Sequence, residues 1–178
     1  MRLGEMLALK WTDLDFTKKT LRVTKTYYNP NNKCTGYQLL TPKTKKSIRT
    51  IMIDDGLVAL FKAHKHEQMK LKMKQRLIYE DQDFIFAENI GHPRVMKQVV
   101  LRLQRLMKHM GVEKHITPHS FRHTHTSLLI EAGAGVKEIQ ERLGHSDINT
   151  TMNIYAHMTK NIEEKTSHKF SELTKGLL

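Results

Sequence analysis

Residues 117–133 read TPHSFRHTHTSLLIEAG, a stretch that has the signals of a complete helix. Thr117 followed by Pro118 is typical of an N-cap residue and a first helical residue. Gly133 is typical of the position just past a helix end. We therefore predict a helix over 118–131, and the question is why its first turns carry so many cationic side chains.

Helical spacing divides this predicted helix into two faces. We predict that the more apolar face lies against the core, and its members are Phe121, His125, Leu128, Leu129 and Ala132. The opposite face collects hydrogen-bond donors, namely His119, Arg122, His123 and Thr126. A helix N-terminus also presents free backbone N–H groups and the positive end of the dipole, which favour anions. The stretch therefore predicts a binding site for a phosphate or a carboxylate.

The composition of the chain points to a polyanionic partner. Its 178 residues contain 30 Lys and Arg against 18 Asp and Glu, a formal net charge of +12. Such an excess attracts nucleic acid, although charge alone leaves open a basic protein with no such partner. One cysteine, Cys34, excludes an internal disulfide and a thiolate zinc cluster, and it fits the reducing cytoplasm. We expect neither a signal peptide nor a membrane span.

Periodicity predicts an α+β fold that is mostly α-helical, with a small three-stranded antiparallel sheet near the N-terminus. Alternation favours one strand over 20–28 and two more within 37–53, joined by a basic turn around Lys43 to Lys46. Apolar spacing favours helices at 1–11, 55–76, 94–111, 118–131, 136–143, around Tyr155, and in the tail over 161–178. No linker or internal repeat interrupts the chain, which predicts a single domain over 1–178.

Four separated pieces of sequence carry the candidate site residues. They are Arg2 in MRLGE, Lys43 in TPKTKKS, His119 with Arg122 in HSFRH, and His145 with Tyr155 in LGHSDINTTMNIYAH. Each piece also has an ordinary structural explanation. Arg2 would pair with Glu5 one turn later, and a lysine in a turn would simply be solvated. Gly144 would end a helix, and Tyr155 would be half-buried core.

Taken together, the four pieces resemble the catalytic domain of the tyrosine recombinase (phage integrase) family. The family pattern is an Arg in a G-x-R-x-x-E-like helix, a Lys in a sheet turn, H-x-x-R, L-G-H-S, and then a Tyr. The match runs from the first residues to about His157. H-x-x-R alone is weak, but with L-G-H-S and a Tyr at this spacing the pattern is specific. The resemblance implies a DNA integrase that cuts and rejoins strands through a covalent 3′-phosphotyrosine, for a phage or mobile element.

The resemblance implies a catalytic set consisting of Arg2, Lys43, His119, Arg122, His145 and Tyr155. Phosphoryl transfer depends mainly on positioning and charge stabilisation, and two guanidinium forks supply both, so we expect no metal or other cofactor. Tyr155 would be the nucleophile, and its phenol, with a pKa of roughly 10, needs a base. We assign His119 as that base, His145 as a phosphate donor, and Lys43 as the acid that protonates the leaving 5′-oxygen.

The resemblance also implies the wider architecture. Residues 1–178 would be an N-terminally truncated catalytic domain whose upstream DNA-binding domains are absent. The partner would be double-stranded DNA in the cytoplasm, with a homotetramer assembled on paired sites by the full-length protein. An apolar seam in the tail would dock on a neighbouring protomer, and its members are Ile162, Phe170, Leu173 and Leu177.

Three alternatives remain beside this interpretation. His119 and His123 have the i, i+4 spacing of a helical metal pair, but HSFRH lacks the Glu of H-E-x-x-H and places Arg122 beside the cation. A relative that binds DNA without catalysis would not need Tyr155. A type IB topoisomerase shares the chemistry, and the sequence does not fully separate it from an integrase.

Overall fold

The computed structural model describes residues 1–42, 44, 47–145, 147–159 and 174. Lys43 therefore lies outside the described residues, as does the tail over 160–178 apart from Thr174. The described helices are α1 (Leu3–Leu7), α2 (Asp55–Lys74), α3 (Met96–His109), α4 (Pro118–Glu131), α5 (Val136–Leu143) and α6 (Ile148–Thr159). The described strands are β1 (Leu14–Asp15), β2 (Thr20–Val23), β3 (Thr26–Tyr28), β4 (Gln38–Leu40) and β5 (Arg49–Met52).

The predicted fold class is confirmed, because helices make up most of the regular structure and a small antiparallel sheet lies near the N-terminus. Its strand order is β1-β2-β5, and Leu21 of β2 pairs with Leu14 on one side and Ile51 on the other. Among the described residues, no helix has the length and apolar character needed to cross a bilayer.

The sheets differ from the prediction in two ways. The strands predicted within 37–53 are β4 and β5, which lie in different sheets, and β1, which was not predicted, completes the three-stranded sheet. The single strand predicted over 20–28 is two strands, because β2 ends at Val23 and β3 pairs with β4 in a separate two-stranded sheet. Val23 and Tyr27 are both buried, so the period-two pattern continues across the break. The two strands nevertheless pack into different core clusters. Tyr27 of β3 packs with Leu7 and Ala8 at the end of α1, whereas Leu21 of β2 belongs to another cluster.

Helix α2 packs beside the three-stranded sheet and shares a core cluster with it. Asp54 caps it by accepting a hydrogen bond from the backbone N–H of Leu57 at 2.8 Å. Its buried face contributes Val58 and Phe61 to a core cluster that also contains Trp11. This cluster fixes the segment that follows α1 and so fixes the start of the chain against the sheet.

Helix α4 has the predicted bounds, and its cap explains them. The Thr117 side chain accepts from the backbone N–H of Ser120 at 3.3 Å, and the Ser120 hydroxyl accepts from the Thr117 backbone N–H at 3.1 Å. These reciprocal bonds satisfy two backbone donors that a helix start otherwise leaves unpaired. Pro118 occupies the first helical position, where a missing N–H costs nothing.

The predicted core face of α4 is wrong. Phe121 and Leu128 are 55% and 58% exposed, whereas the buried residues are Arg122, Thr126 and Ile130. Helices α5 and α6 pack on the side of α4 that carries Arg122. That side can be buried because the Arg122 guanidinium donates to a main-chain carbonyl. The distribution of polar and apolar side chains therefore did not predict which face of α4 is covered by α5 and α6.

Candidate active site

Four of the predicted site residues line one small pocket of about 120 Å³: Arg2, His119, Arg122 and His145. Three separate segments of the chain bring them together. Arg2 immediately precedes α1, His119 and Arg122 lie in the first turns of α4, and His145 directly follows α5. His123, Thr126 and Ile154 complete the lining. The pocket is therefore bounded by two guanidinium groups and three imidazoles.

Arg122 is the buried centre of this pocket. The residue is only 5% exposed, and its Nη2 donates to the carbonyl of Leu143 at 2.7 Å. Its Nη1 is also buried and has no hydrogen-bond partner among the residues that the structure describes. Burial, followed by the charge of Arg2, lowers the pKa of Arg122 to about 10, so the group stays protonated at neutral pH. One N–H edge of a buried cation is thus left without an internal acceptor.

Arg2 is held by a buried carboxylate. Its Nη1 donates to Glu5 Oε1 at 2.7 Å and its backbone N–H donates to Glu5 Oε2 at 3.0 Å, so the predicted i, i+3 pair is confirmed. The Arg2 side chain is 45% exposed, which leaves the rest of its fork accessible from outside. Glu5 thereby orients one guanidinium towards the pocket without covering it.

His145 is fixed through both its ring and its backbone. Its Nδ1 lies 2.8 Å from Thr151 Oγ1 of α6, and its backbone N–H donates to Gln140 at 3.1 Å. Burial is the main reason that its pKa falls to about 4, and the charges of Arg122 and Arg2 lower it further. The ring is therefore neutral at pH 7, a state in which one nitrogen is a donor and the other an acceptor.

His119 is exposed at the start of α4, and its ring lies edge-on to the ring of His123 with 4.6 Å between centroids. Burial, followed by the charges of His123 and Arg122, lowers the pKa of His119. A histidine whose pKa is lowered is mostly unprotonated at neutral pH and can accept a proton. This state matches the role of general base that we predicted for it.

Tyr155 does not line the pocket. It is half-buried and packs against the cluster formed by Ile130, Ile139 and Leu143, while its neighbour Ile154 lies at the pocket wall. The ordinary explanation given above, half-buried core, thus describes the position of Tyr155 in this structure. Lys43 lies outside the described residues, so its predicted role stays a prediction.

Two residues that the sequence did not indicate also belong to this site. Arg49, at the first position of β5, donates from Nη2 to Glu5 Oε2 at 2.9 Å, and Thr151 contacts the ring of His145. Arg49 falls in none of the four pieces, and Thr151 lies within LGHSDINTTMNIYAH but was given no role, because only the folded chain shows their contacts. In the described part of the chain, no group of three or more His, Cys, Asp or Glu side chains is placed to hold a metal ion.

Comparisons with known proteins agree with the geometry. The model of the phage integrase family matches residues 1–161. The chain is 34% identical over 89% of its length to a "Tyrosine recombinase XerC-like" protein of Caldanaerobacter subterraneus, of which it covers 42%. It is 32% identical over 97% of its length to the integrase of Staphylococcus phage L54a, of which it covers 49%. The chain thus spans less than half the length of these relatives.

A solved structure shows the same fold. The Tn1549 transposon integrase in complex with circular intermediate DNA superposes with a TM-score of 0.74 at 26% sequence identity. The likeness covers 96% of this chain and 56% of that one.

Proposed function

The chain belongs to the phage integrase family, and we propose that it is the catalytic part of a site-specific DNA recombinase. It would cut and rejoin DNA strands during integration or excision of a phage or another mobile element. Relatives named as integrases and recombinases support this proposal, as does the net charge of +12, which favours a DNA partner.

The observation that carries the proposal is the unpaired edge of Arg122. Its buried Nη1 has no acceptor among the described residues, and Arg122 lines a pocket shared with Arg2, His119 and His145. Clustered cations repel one another, and a bound anion removes that cost. A phosphodiester offers two non-bridging oxygens, which suit guanidinium forks arriving from two sides.

The proposed reaction exchanges one phosphate ester for another. The oxygen of Tyr155 attacks the phosphorus and forms the new P–O bond, while the bond from phosphorus to the 5′-oxygen breaks. His119 takes the phenolic proton, and Lys43 gives a proton to the departing 5′-oxygen. Arg2 and Arg122 stabilise the non-bridging oxygens throughout.

His145 supplies a further hydrogen bond in the proposed reaction, and the products follow from the bonds that form and break. Neutral His145 would donate one hydrogen bond to the phosphate through the ring nitrogen that Thr151 does not contact. The product is a 3′-phosphotyrosine and a free 5′-hydroxyl. Because one phosphodiester replaces another, the reverse attack by a 5′-hydroxyl rejoins the strands without ATP.

The proposal requires a movement of α6. Ile154 lies at the pocket wall, whereas Tyr155 packs on the α4–α5 core, and successive helical residues point in directions about 100° apart. The helix must therefore turn or shift before the Tyr155 hydroxyl reaches a phosphate held by Arg122. We infer that DNA binding stabilises this second position.

We further propose that the full-length protein acts in the cytoplasm as a homotetramer on paired double-stranded sites. A strand exchange joins ends from two duplexes, so it needs more than one active site in one complex. A C₂-related or cyclic arrangement of identical protomers supplies them with a repeated interface.

A covalent trapping experiment tests the proposed function. The chain is incubated in EDTA with a pool of nicked duplexes of randomised sequence, in which cleavage releases a short fragment and blocks rejoining. We expect a protein–DNA adduct that survives denaturing electrophoresis, and sequencing of the trapped DNA gives the preferred site. Absence of any adduct, from folded protein that binds the duplexes, would overturn the proposal.

A further inference from the structure

Arg49 makes three contacts that join three different parts of the active site. Its side chain is 6% exposed, and it does not line the pocket. We propose that Arg49 is a positioning residue, which fixes Arg2 through Glu5 and fixes His145 through the turn at the end of α5. This inference rests on the proposed function, since it concerns the geometry of the same phosphate site.

The first contact reaches Arg2 through the Glu5 carboxylate. Arg49 Nη2 donates to Glu5 Oε2 at 2.9 Å, and Arg2 Nη1 donates to Glu5 Oε1 at 2.7 Å. Burial alone would raise the pKa of Glu5, but hydrogen bonds from Arg49 and then Arg2 outweigh it and hold the pKa below its usual value. The buried Glu5 carboxylate therefore has two guanidinium partners. Arg49 is the buried partner, and Arg2 is the partly exposed one.

The second contact reaches the turn that carries His145. Arg49 Nε donates to the carbonyl of Arg142 at 2.8 Å, while Arg122 donates to the next carbonyl, that of Leu143, at 2.7 Å. Two guanidinium groups thus hold consecutive carbonyls at the end of α5. Because His145 follows these carbonyls by two and three residues, the turn sets the place of its ring relative to Arg122.

The third contact reaches the end of the loop between β4 and β5. Arg49 Nη1 donates to the carbonyl of Ser47 at 3.0 Å. Lys43 belongs to the same loop in the sequence. Arg49 therefore ties the base of that loop to α1 and to α5 with one side chain.

Only an arginine can make these three contacts. A guanidinium is planar and presents five donors in fixed directions, whereas a lysine ammonium is one point charge on a flexible stem. Arg49→Lys keeps the positive charge beside Glu5 but loses the bonds to Arg142 and Ser47. The substitution therefore separates the charge of Arg49 from its geometry.

The test compares Arg49→Lys with a matched control, Arg142→Met. Arg142 Nη1 donates to the carbonyl of Met52 at 3.1 Å, so the control removes another guanidinium–carbonyl bond between α5 and β5 that does not touch Glu5. We expect Arg49→Lys to slow single-turnover adduct formation about tenfold or more, because small misplacements of catalytic groups cost rate. The Kd for DNA should stay within about twofold, since a buried side chain makes no phosphate contact. Arg142→Met should match the wild type in the rate of adduct formation.

A double-mutant cycle with Glu5→Gln distinguishes positioning from a general structural role. The cycle uses Arg49→Met, which removes the Glu5 contact as well as the turn contact, so the loss of rate in the double variant should be smaller than the product of the two single losses. Losses that multiply, or an Arg49→Lys rate within twofold of the wild type, would overturn the inference. If Arg49→Lys does not fold, Gly144→Ala is the alternative variant. A Cβ at position 144 would lie 2.8 Å from Arg49 Nη1 and would displace the guanidinium from its partners. We then expect the same loss of rate.

A readout that needs no activity separates failure of the inference from failure of the proposed function. Should the wild type form no adduct, the proposed function fails, and the His145 ring titration followed by NMR still decides the role of Arg49. Arg49→Lys retains the charge, so we expect the pKa of His145 to rise towards 6.5 only if the turn is released. An unchanged titration would overturn the inference, and Arg142→Met should leave the titration unchanged.

Discussion

Arg122 of α4 donates from Nη2 to the main-chain carbonyl of Leu143, at the end of α5, over 2.7 Å. The bond uses one edge of the guanidinium to lock the helix pair and leaves Nη1 without a partner among the described residues. The same side chain therefore has a structural edge and a binding edge. This division explains why a cationic residue, and not the apolar stripe, occupies the buried face of α4.

Arg122→Lys is expected to slow adduct formation by at least about 100-fold, the usual effect of removing one donor to the transition state. A lysine cannot bond Leu143 and a phosphate oxygen at once in the two directions that the fork provides. Single-turnover kinetics measure the rate, with Arg22→Lys on the exposed side of β2 as the control. A rate for Arg122→Lys within fivefold of the wild type would contradict the assignment.

The stability of the chain should fall in mild acid because of His145. Its pKa in the folded state is lowered to about 4, first by burial and then by Arg122 and Arg2. The unfolded chain takes up this proton at about pH 6.5, so the free energy of unfolding decreases as the pH falls from 7 towards 4. Between pH 7 and pH 5, His145 lowers the free energy of unfolding by at most about 2 kcal/mol.

Thermal melting at pH 7 and pH 5 tests this linkage. We expect the Tm of His145→Gln to fall less between the two values than the Tm of the wild type, because glutamine does not titrate. His66→Gln, on an exposed face of α2, should retain the wild-type difference. An equal fall in all three proteins would show that His145 is not held with a lowered pKa.

Gly144→Ala should cost more stability than an equivalent change elsewhere. Gly144 and Gly111 share a φ of +67°, but only at Gly144 would a Cβ meet Arg49, at 2.8 Å from Nη1. Gly111→Ala therefore bears only the backbone cost of about 1 kcal/mol, and Gly144→Ala bears an added clash. Chemical denaturation measures both, and equal losses would show that the turn and Arg49 do not constrain each other.

Lys43→Ala should be rescued by a better leaving group. A 5′-bridging phosphorothiolate departs without a proton, so a missing general acid no longer slows cleavage. We expect Lys43→Ala to approach the wild-type rate on this substrate, whereas Arg122→Ala should remain slow because its defect is charge stabilisation. If Lys43→Ala is equally slow on both substrates, Lys43 contacts DNA and is not the acid.

Helices α4 and α5 were predictable because their end signals are local, whereas the helix predicted over 1–11 is wrong beyond Leu7, where α1 ends. Thr117 with Pro118 begins α4, and Gly144 ends α5 with a positive φ, so the predicted bounds 118–131 and 136–143 match the structure. The motif residues of the pocket were also predictable. The resemblance of their order and spacing to the family pattern singled out Arg2, His119, Arg122 and His145, and the fold places all four at one pocket.

Features that depend on long-range packing were not predictable. The change of sheet after Val23 leaves the alternating pattern intact, and periodicity does not state which face of α4 the neighbouring helices cover. Arg49 lies in no motif, and the residues that it contacts, Glu5 and Arg142, are 44 and 93 positions away in the chain. The position of Tyr155 depends on how α6 packs, which spacing does not determine.

The most direct test of the central claim is to locate the covalent bond. Adducts trapped on nicked DNA in EDTA are digested with protease, and mass spectrometry identifies the modified peptide. We expect the label on Tyr155, none from folded Tyr155→Phe that still binds DNA, and wild-type yield from Tyr28→Phe, whose tyrosine is 48% exposed. An adduct that forms at wild-type yield in Tyr155→Phe, or a label on any other residue, would contradict the assignment of Tyr155 as the nucleophile.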